Sequence, residues 1–178
     1  MPGKPSIFCA IDTPDIALAK RVAGAMQSVG CGVKLGLEFF STHGFIGVDA
    51  VRDAYPDVPV FLDLKFHDIP NTVAKAVESA ARLDVMMLTL HACGGFDMMV
   101  AAREAADRAT RKPMLLAVTV LTSMDTDDLH EVGVDHSAGG QVVNLARLAA
   151  KCRMDGCVAS SHEISMIRES VPHPLKLV

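Results

Sequence analysis

The chain has no Lys/Arg block, no C-x-x-C pair and no apolar run approaching the ~18 residues of a membrane span. The first absence argues against nucleic acid and against a polybasic membrane patch. The net charge is −4, with 17 basic and 21 acidic residues mixed along the sequence. Without a C-x-x-C pair there is no zinc motif. Cys9, Cys31, Cys93, Cys152 and Cys157 also lack the spacing of a disulfide framework, and they read as reduced, mostly buried thiols. The opening residues, Met-Pro-Gly-Lys-Pro, do not lead into the apolar core of a signal peptide, so the expectation is a cytoplasmic protein with no membrane segment. Hairpin signals, linkers and low-complexity tracts are missing too, which leaves residues 1–178 as one expected domain.

What the chain does have is a repeat. Half of its 178 residues are apolar, enough for a sizeable core. Short β-rich runs open at Ile7, Val33, Pro59 and Val85, about 26 residues apart, the size of one strand–helix unit. Helical spacing follows the first run (Val22, Met26, Val29), the third (Val73, Val77, Ala80) and the fourth (Met98, Ala102, Ala105). Met114–Val118, Gly156–Ala159 and Leu175–Val178 supply a fifth, sixth and seventh strand. The longer stretch from Asp125 to Arg153 reads as two helical pieces broken near Gly133 and Gly139–Gly140.

Alternating strands and helices imply a parallel α/β fold, either an open doubly wound sheet or a β/α barrel. An open sheet gathers its reactive residues at one switch point, whereas a barrel carries them at the C-terminal ends of many strands. Here Asp12, Lys34, Asp63 with Lys65, His91, Thr119 with Thr122, and Ser160–Ser161 end six successive strands. That distribution favours a TIM (β/α)8 barrel. Such a barrel needs eight strands and typically about 250 residues. The sequence, ending in its seventh strand, is therefore expected to be C-terminally incomplete by roughly 50 residues.

The most informative stretch is 61–72, Phe-Leu-Asp-Leu-Lys-Phe-His-Asp-Ile-Pro-Asn-Thr. An apolar strand ends in two carboxylates bracketing a lysine, a costly placement unless the charges are paired or used. Period-2 alternation puts Phe61, Asp63 and Lys65 on one face and Leu62 and Leu64 on the other. Lys34, ending the neighbouring strand, falls within reach of Asp63. Asp68 lies past the strand, and Pro70 suits a first helical turn. The quartet Lys34, Asp63, Lys65, Asp68 is either a site or a structural ion-pair network, and its position at the barrel rim favours the site.

This stretch resembles the signature of the orotidine 5′-phosphate decarboxylase family. So do Ala-Ile-Asp at 10–12, Val-Lys-Leu-Gly at 33–36, His-Ala-Cys-Gly-Gly at 91–95, Ala-Val-Thr-Val-Leu-Thr-Ser-Met at 117–124 and the closing Leu-Lys-Leu-Val. The likeness runs in order over essentially the whole chain. It implies cofactor-independent decarboxylation of orotidine 5′-phosphate to UMP, with no metal, in a cytoplasmic homodimer. Lys65 would donate a proton to C6 of the pyrimidine, Asp63 would lie beside the departing carboxylate, and Lys34 would bridge Asp63 and the ribose. Asp12 would contact the ribose hydroxyls and Thr122 the pyrimidine ring, and Ile69 joins the substrate-binding set. Asp68 and Thr72 would complete the partner subunit's site. The same resemblance implies a phosphate loop after strand seven, a Gly-Arg pair after strand eight and a Gln near the base. None of these lies in the sequence, so a chain limited to it is expected to be a poor catalyst.

Two other readings compete. A metal-dependent sugar-phosphate branch of the same superfamily shares Asp-x-Lys-x-x-Asp but carries a carboxylate where Lys34 stands. A catalytically dead barrel fragment or binding module is the other. Among lesser candidates, His67 and His91 read as rim hydrogen-bonding residues rather than metal ligands. Cys93 beside His91 shows no feature that would activate it. Gly94–Gly95 suits a tight strand-to-helix turn, and Ser160 with Glu163 a capping box. Arg103, Arg108, Arg111 and Lys112 read as a solvated helix face and its end.

Overall fold

The computed structural model describes residues 7–171 and 174–178, so the expectation for residues 1–5 lies outside the described residues. The strands are β1 (Phe8–Ile11), β2 (Gly32–Leu35), β3 (Val60–Phe66), β4 (Met87–His91), β5 (Met114–Val118), β6 (Gly156–Val158) and β7 (Lys176–Leu177). The α-helices are α1 (Ile16–Ser28), α2 (Leu37–Ala54), α3 (Pro70–Ala81), α4 (Gly95–Arg108), α5 (Thr126–Glu131), α6 (Ala138–Lys151) and α7 (Ile164–Ser170). Strand order follows chain order, β1-β2-β3-β4-β5-β6-β7. A doubly wound sheet reverses its order at a switch point. No reversal occurs here, so the fold class is the β/α barrel, carried through seven described strands. Among the described residues no helix is long and apolar enough to cross a membrane.

The chain divides into two compact units. The first comprises residues 7–64, 79–88 and 109–113. In it β1, β2 and β3 pair in parallel, with Ile11 opposite Leu35 and Leu35 opposite Leu62. Leu35, Leu62, Phe39, Val48 and Val51 are fully buried. In β3, Val60, Leu62 and Leu64 on one face and Phe61 on the other are buried, as a parallel sheet covered by helices requires. Asp15 caps α1, its Oδ1 accepting from the N–H groups of Ala17 and Leu18. The inner face of α1 is formed by the buried Ala19 and Ala23 with Val22 and Met26 half-buried beside them, as the helical spacing predicts. Val29 is the C-cap and is exposed. Helix α2 is kinked at Gly44, whose φ of 57° leaves the helical region.

The second unit comprises Lys65–Glu78, Thr89–Arg108 and the described part of Met114–Val178. Strands β5, β6 and β7 pair in parallel, Leu116 opposite Gly156 and Cys157 opposite Leu177. Val73 and Val77 of α3, and Met98, Ala102 and Ala105 of α4, are buried as the helical spacing predicts. The segment after β5 does form two helices, broken at Gly133, whose φ is 81°. The break runs over residues 132–137 and ends just before Gly139–Gly140. Ser137 caps α6 by accepting from the Gly140 N–H at 3.2 Å, which places both glycines in the first helical turn.

Two expectations are corrected. Arg103 is not on a solvated face. It is 5 % exposed, with Nε 2.8 Å from Asp107 and Nη1 2.7 Å from Asp155. Asp155 Oδ2 also accepts from the Leu115 N–H at 2.8 Å, so one carboxylate ties α4, the start of β6 and β5 together. Arg108, paired with Glu78, Arg111, paired with Asp84, and Lys112 are exposed as expected. The cysteines are free, but only Cys152 and Cys157 are buried. Cys9 and Cys31 are half-buried and Cys93 is exposed.

Candidate active site

In the first unit, strand register explains the meeting of Lys34 and Asp63. Lys34 stands opposite Phe61, and Asp63 lies two residues further along β3 on the same face. A long ammonium side chain reaches that diagonal. Lys34 Nζ is 3.3 Å from Asp63 Oδ2, with the two side chains 25 % and 12 % exposed. Asp63 is one of four buried polar or charged residues among those described, with Thr89, Arg103 and Thr119. Asp12 follows β1 directly and is exposed. Gly36, at the mouth of α2, lies beside both groups. A Cβ there would lie 3.5 Å from Asp12 Oδ1 and 3.9 Å from Lys34 Nζ. Asp12 and Lys34 thus approach the same buried glycine, and Lys34 carries the contact on to Asp63.

In the second unit, Lys65 has an unusual backbone. Its φ is 50°, left-handed for a residue with a Cβ, a conformation costing about 1–2 kcal/mol relative to the extended one. The backbone at Lys65 thus leaves the regular extended conformation within β3. Its N–H donates to the Thr89 hydroxyl at 2.9 Å. Thr89 is wholly buried in β4 and was missed by sequence reasoning. Its one signal is a single hydroxyl within Met-Leu-Thr-Leu-His.

Beyond β3 the chain runs along the surface. Asp68 accepts from the Ile69 N–H at 2.6 Å. Pro70 opens α3 as expected, and Ile69 O accepts from Thr72 and Val73 at 3.1 and 3.2 Å. Asp68, Ile69 and Thr72 are all exposed, Ile69 by 66 %. Thr122 is exposed in a turn closed by Met124 N–H to Leu121 O at 2.9 Å. Thr119, by contrast, is buried and donates its hydroxyl to Val158 O at 2.8 Å, which makes it a link between β5 and β6.

The lesser candidates resolve in structural terms. The His67 and His91 rings lie 5.6 Å apart, and among the described residues no three His, Cys, Asp or Glu side chains gather in a metal-holding arrangement. Partial burial raises the Cys93 thiol above its ordinary range, the opposite of what a thiolate nucleophile needs. Gly95, with φ 88°, makes the tight turn into α4. Ser160 and Glu163 form the predicted capping box, Glu163 Oε2 accepting from the Ser160 N–H at 2.8 Å.

A match to the model of the orotidine 5′-phosphate decarboxylase / HUMPS family extends over residues 5–178. The chain belongs to this family. It is 48 % identical over 177 residues to an orotidine 5′-phosphate decarboxylase of Opitutus terrae, covering 97 % of this chain and 74 % of the relative. Identity to the corresponding enzyme of Ehrlichia canis is 44 % over 172 residues, with the same two coverages. Among solved structures, orotidine 5′-phosphate decarboxylase from Lactobacillus acidophilus superposes with a TM-score of 0.90. The identity is 29 %, covering 98 % of this chain and 80 % of that one.

Proposed function

We propose that this chain decarboxylates orotidine 5′-phosphate to UMP in pyrimidine synthesis, as a cytoplasmic homodimer that uses neither metal nor organic cofactor. The observation that carries the reading is the Lys34–Asp63 ion pair, which joins the next-to-last residue of β2 to the middle of β3. The sugar-phosphate branch of the superfamily would need a carboxylate at position 34. Here an ammonium occupies that position and is engaged with Asp63.

Decarboxylation breaks the bond between C6 and the carboxylate carbon, and CO2 leaves. The electron pair stays on C6 in the ring plane, where the π system cannot delocalise it. An ammonium fixed beside that carbon stabilises the developing charge. At ~4 Å and an effective dielectric near 20 the attraction is about 4 kcal/mol. Lys65 then delivers its proton to C6 and recovers one from solvent. Asp63 lies beside the departing carboxylate in this reading, and Lys34 and Asp12 hold the ribose. Thr122 contacts the pyrimidine, and Ile69 adds an apolar contact. Asp68 and Thr72 complete the partner subunit's site. Their exposure at the start of α3, together with that of Ile69, supports this last assignment.

The test follows loss of orotidine 5′-phosphate absorbance with and without EDTA. Turnover unaffected by chelator, and abolished in Lys65→Ala while the unfolding transition is preserved, is the expected result. Chelator-sensitive turnover, or near-parental rates in Lys65→Ala, would overturn it. Mixing Lys65→Ala with Asp68→Ala chains should restore part of the activity. No recovery despite demonstrated subunit exchange would remove the shared site.

A further inference from the structure

We infer that Thr89 is a positioning residue for Lys65. Its buried hydroxyl holds the lysine backbone in the left-handed conformation that sets where the ammonium points. The inference rests on the reading of Lys65 as the proton donor. Three observations meet at this point. Lys65 has a φ of 50°, in a strand whose sequence contains no glycine or asparagine to favour such a turn. Its N–H is taken by the Thr89 hydroxyl at 2.9 Å. Thr89 has no solvent exposure, in a strand otherwise apolar from Met87 to Leu90.

A buried hydroxyl in an apolar strand persists where it satisfies another group. Here that group is the N–H of a residue turned out of the regular extended conformation. The turn redirects the Cα–Cβ bond of Lys65, because rotating φ from the extended to the left-handed region swings the side chain relative to the strand. Without an acceptor at Thr89 the half-buried N–H would lose its partner. Relaxation of Lys65 toward φ below zero would then relieve the backbone strain. The ammonium would move with it. Catalysis by a fixed charge is sensitive to such a displacement, and misplacement by ~1 Å costs about 100-fold in rate. Binding of the remainder of the substrate does not depend on Lys65 in the same way. The effect therefore falls on kcat rather than KM.

The experiment compares Thr89→Val, which keeps shape but removes the hydroxyl, with Thr89→Ser, which keeps the hydroxyl. Three quantities are measured: kcat and KM with orotidine 5′-phosphate, the unfolding transition, and the Lys65 three-bond HN–Hα coupling, which reports φ. Thr89→Val is expected to lower kcat by about 100-fold with KM little changed, and to move the coupling to an extended value. Thr89→Ser should restore both. A purely structural hydroxyl would lower stability and leave both the coupling and kcat of the folded protein unchanged, and that result overturns the inference. If Thr89→Val does not fold, Thr89→Cys against Thr89→Ser gives the same contrast, sulfur being the weaker acceptor at similar size. Equal kcat in that pair would likewise overturn it. Lys65→Ala is run alongside. If it abolishes turnover while Thr89→Val does not reduce it, the positioning role alone fails. If Lys65→Ala remains active, the proton-donor reading fails, whatever the Thr89 variants do.

Discussion

Lys34–Asp63 and Arg103–Asp155 each hold one largely buried charged side chain against a more exposed partner, yet they are satisfied differently. The Arg103 guanidinium is 6 % exposed and engages two carboxylates at 2.7 and 2.8 Å. One of those carboxylates also accepts a backbone N–H from β5. Asp155 immediately precedes β6, so the cluster closes a junction at the start of a strand. The Lys34–Asp63 contact is longer, 3.3 Å, with a quarter of the lysine side chain open to solvent and a glycine beside it. Lys34 lies next to the end of β2, on the side where barrel chemistry is carried, and Asp63 midway along β3. Buried charge alone therefore does not mark a site. A pair tied into a second carboxylate and a backbone N–H at a strand junction serves packing, whereas a longer, single contact beside a glycine is the better placed to meet a ligand.

The sharpest way to break this comparison is Asp155→Ala. Removing that carboxylate leaves a buried guanidinium short of a partner and the Leu115 N–H without its acceptor. The expected loss is about 4 kcal/mol of folding stability, read by urea unfolding, with kcat per folded molecule unchanged. A loss below about 1 kcal/mol, in the range of an exposed pair, would place Arg103–Asp155 in the same class as surface bridges.

Lys34→Met inverts the pattern. Because the pair is partly solvated, stability should fall by only about 1 kcal/mol. Turnover should fall by about 100-fold, the cost of losing one preorganised charge at a reacting centre. Steady-state kinetics beside the same urea titration checks both halves. If Lys34→Met cost several kcal/mol and left kcat/KM intact, Lys34–Asp63 would be structural after all.

How much of this was legible in the sequence depended on how local the governing interaction is. The strand–helix repeat exposed the fold, and Met114–Val118 is a strand with the predicted bounds, because burial on both faces writes itself as an apolar run. The meeting of Lys34 and Asp63 was legible as well, since adjacent parallel strands bring side chains of the same face together. Arg103 was misjudged because its partner Asp155 is 52 residues away, and no pattern on α4 announces it. The break between the two helical pieces was legible from its glycines, but its end was set by Ser137, whose cap draws Gly139–Gly140 into the first turn of α6. The turn at Lys65 carried no glycine to flag it, and its stabilising partner Thr89 comes from the next strand.

The finest test concerns Gly36, which has no conformational need to be glycine. Its φ of −96° and ψ of −170° suit any residue. An added methyl would lie 3.5 Å from Asp12 Oδ1 and 3.9 Å from Lys34 Nζ, in ordinary contact with both. Gly36→Ala should therefore leave stability within about 0.5 kcal/mol. If Asp12 and Lys34 hold the ribose, the methyl crowds the approach to both and KM rises about fivefold, equivalent to about 1 kcal/mol of binding, with kcat near its parental value. The distinction is diagnostic. An unchanged KM would move ribose binding away from these two side chains. A marked loss of stability would mean that the surroundings of Lys34 are packed as tightly as the Arg103 cluster, erasing the difference that separates a ligand-facing pair from a structural one.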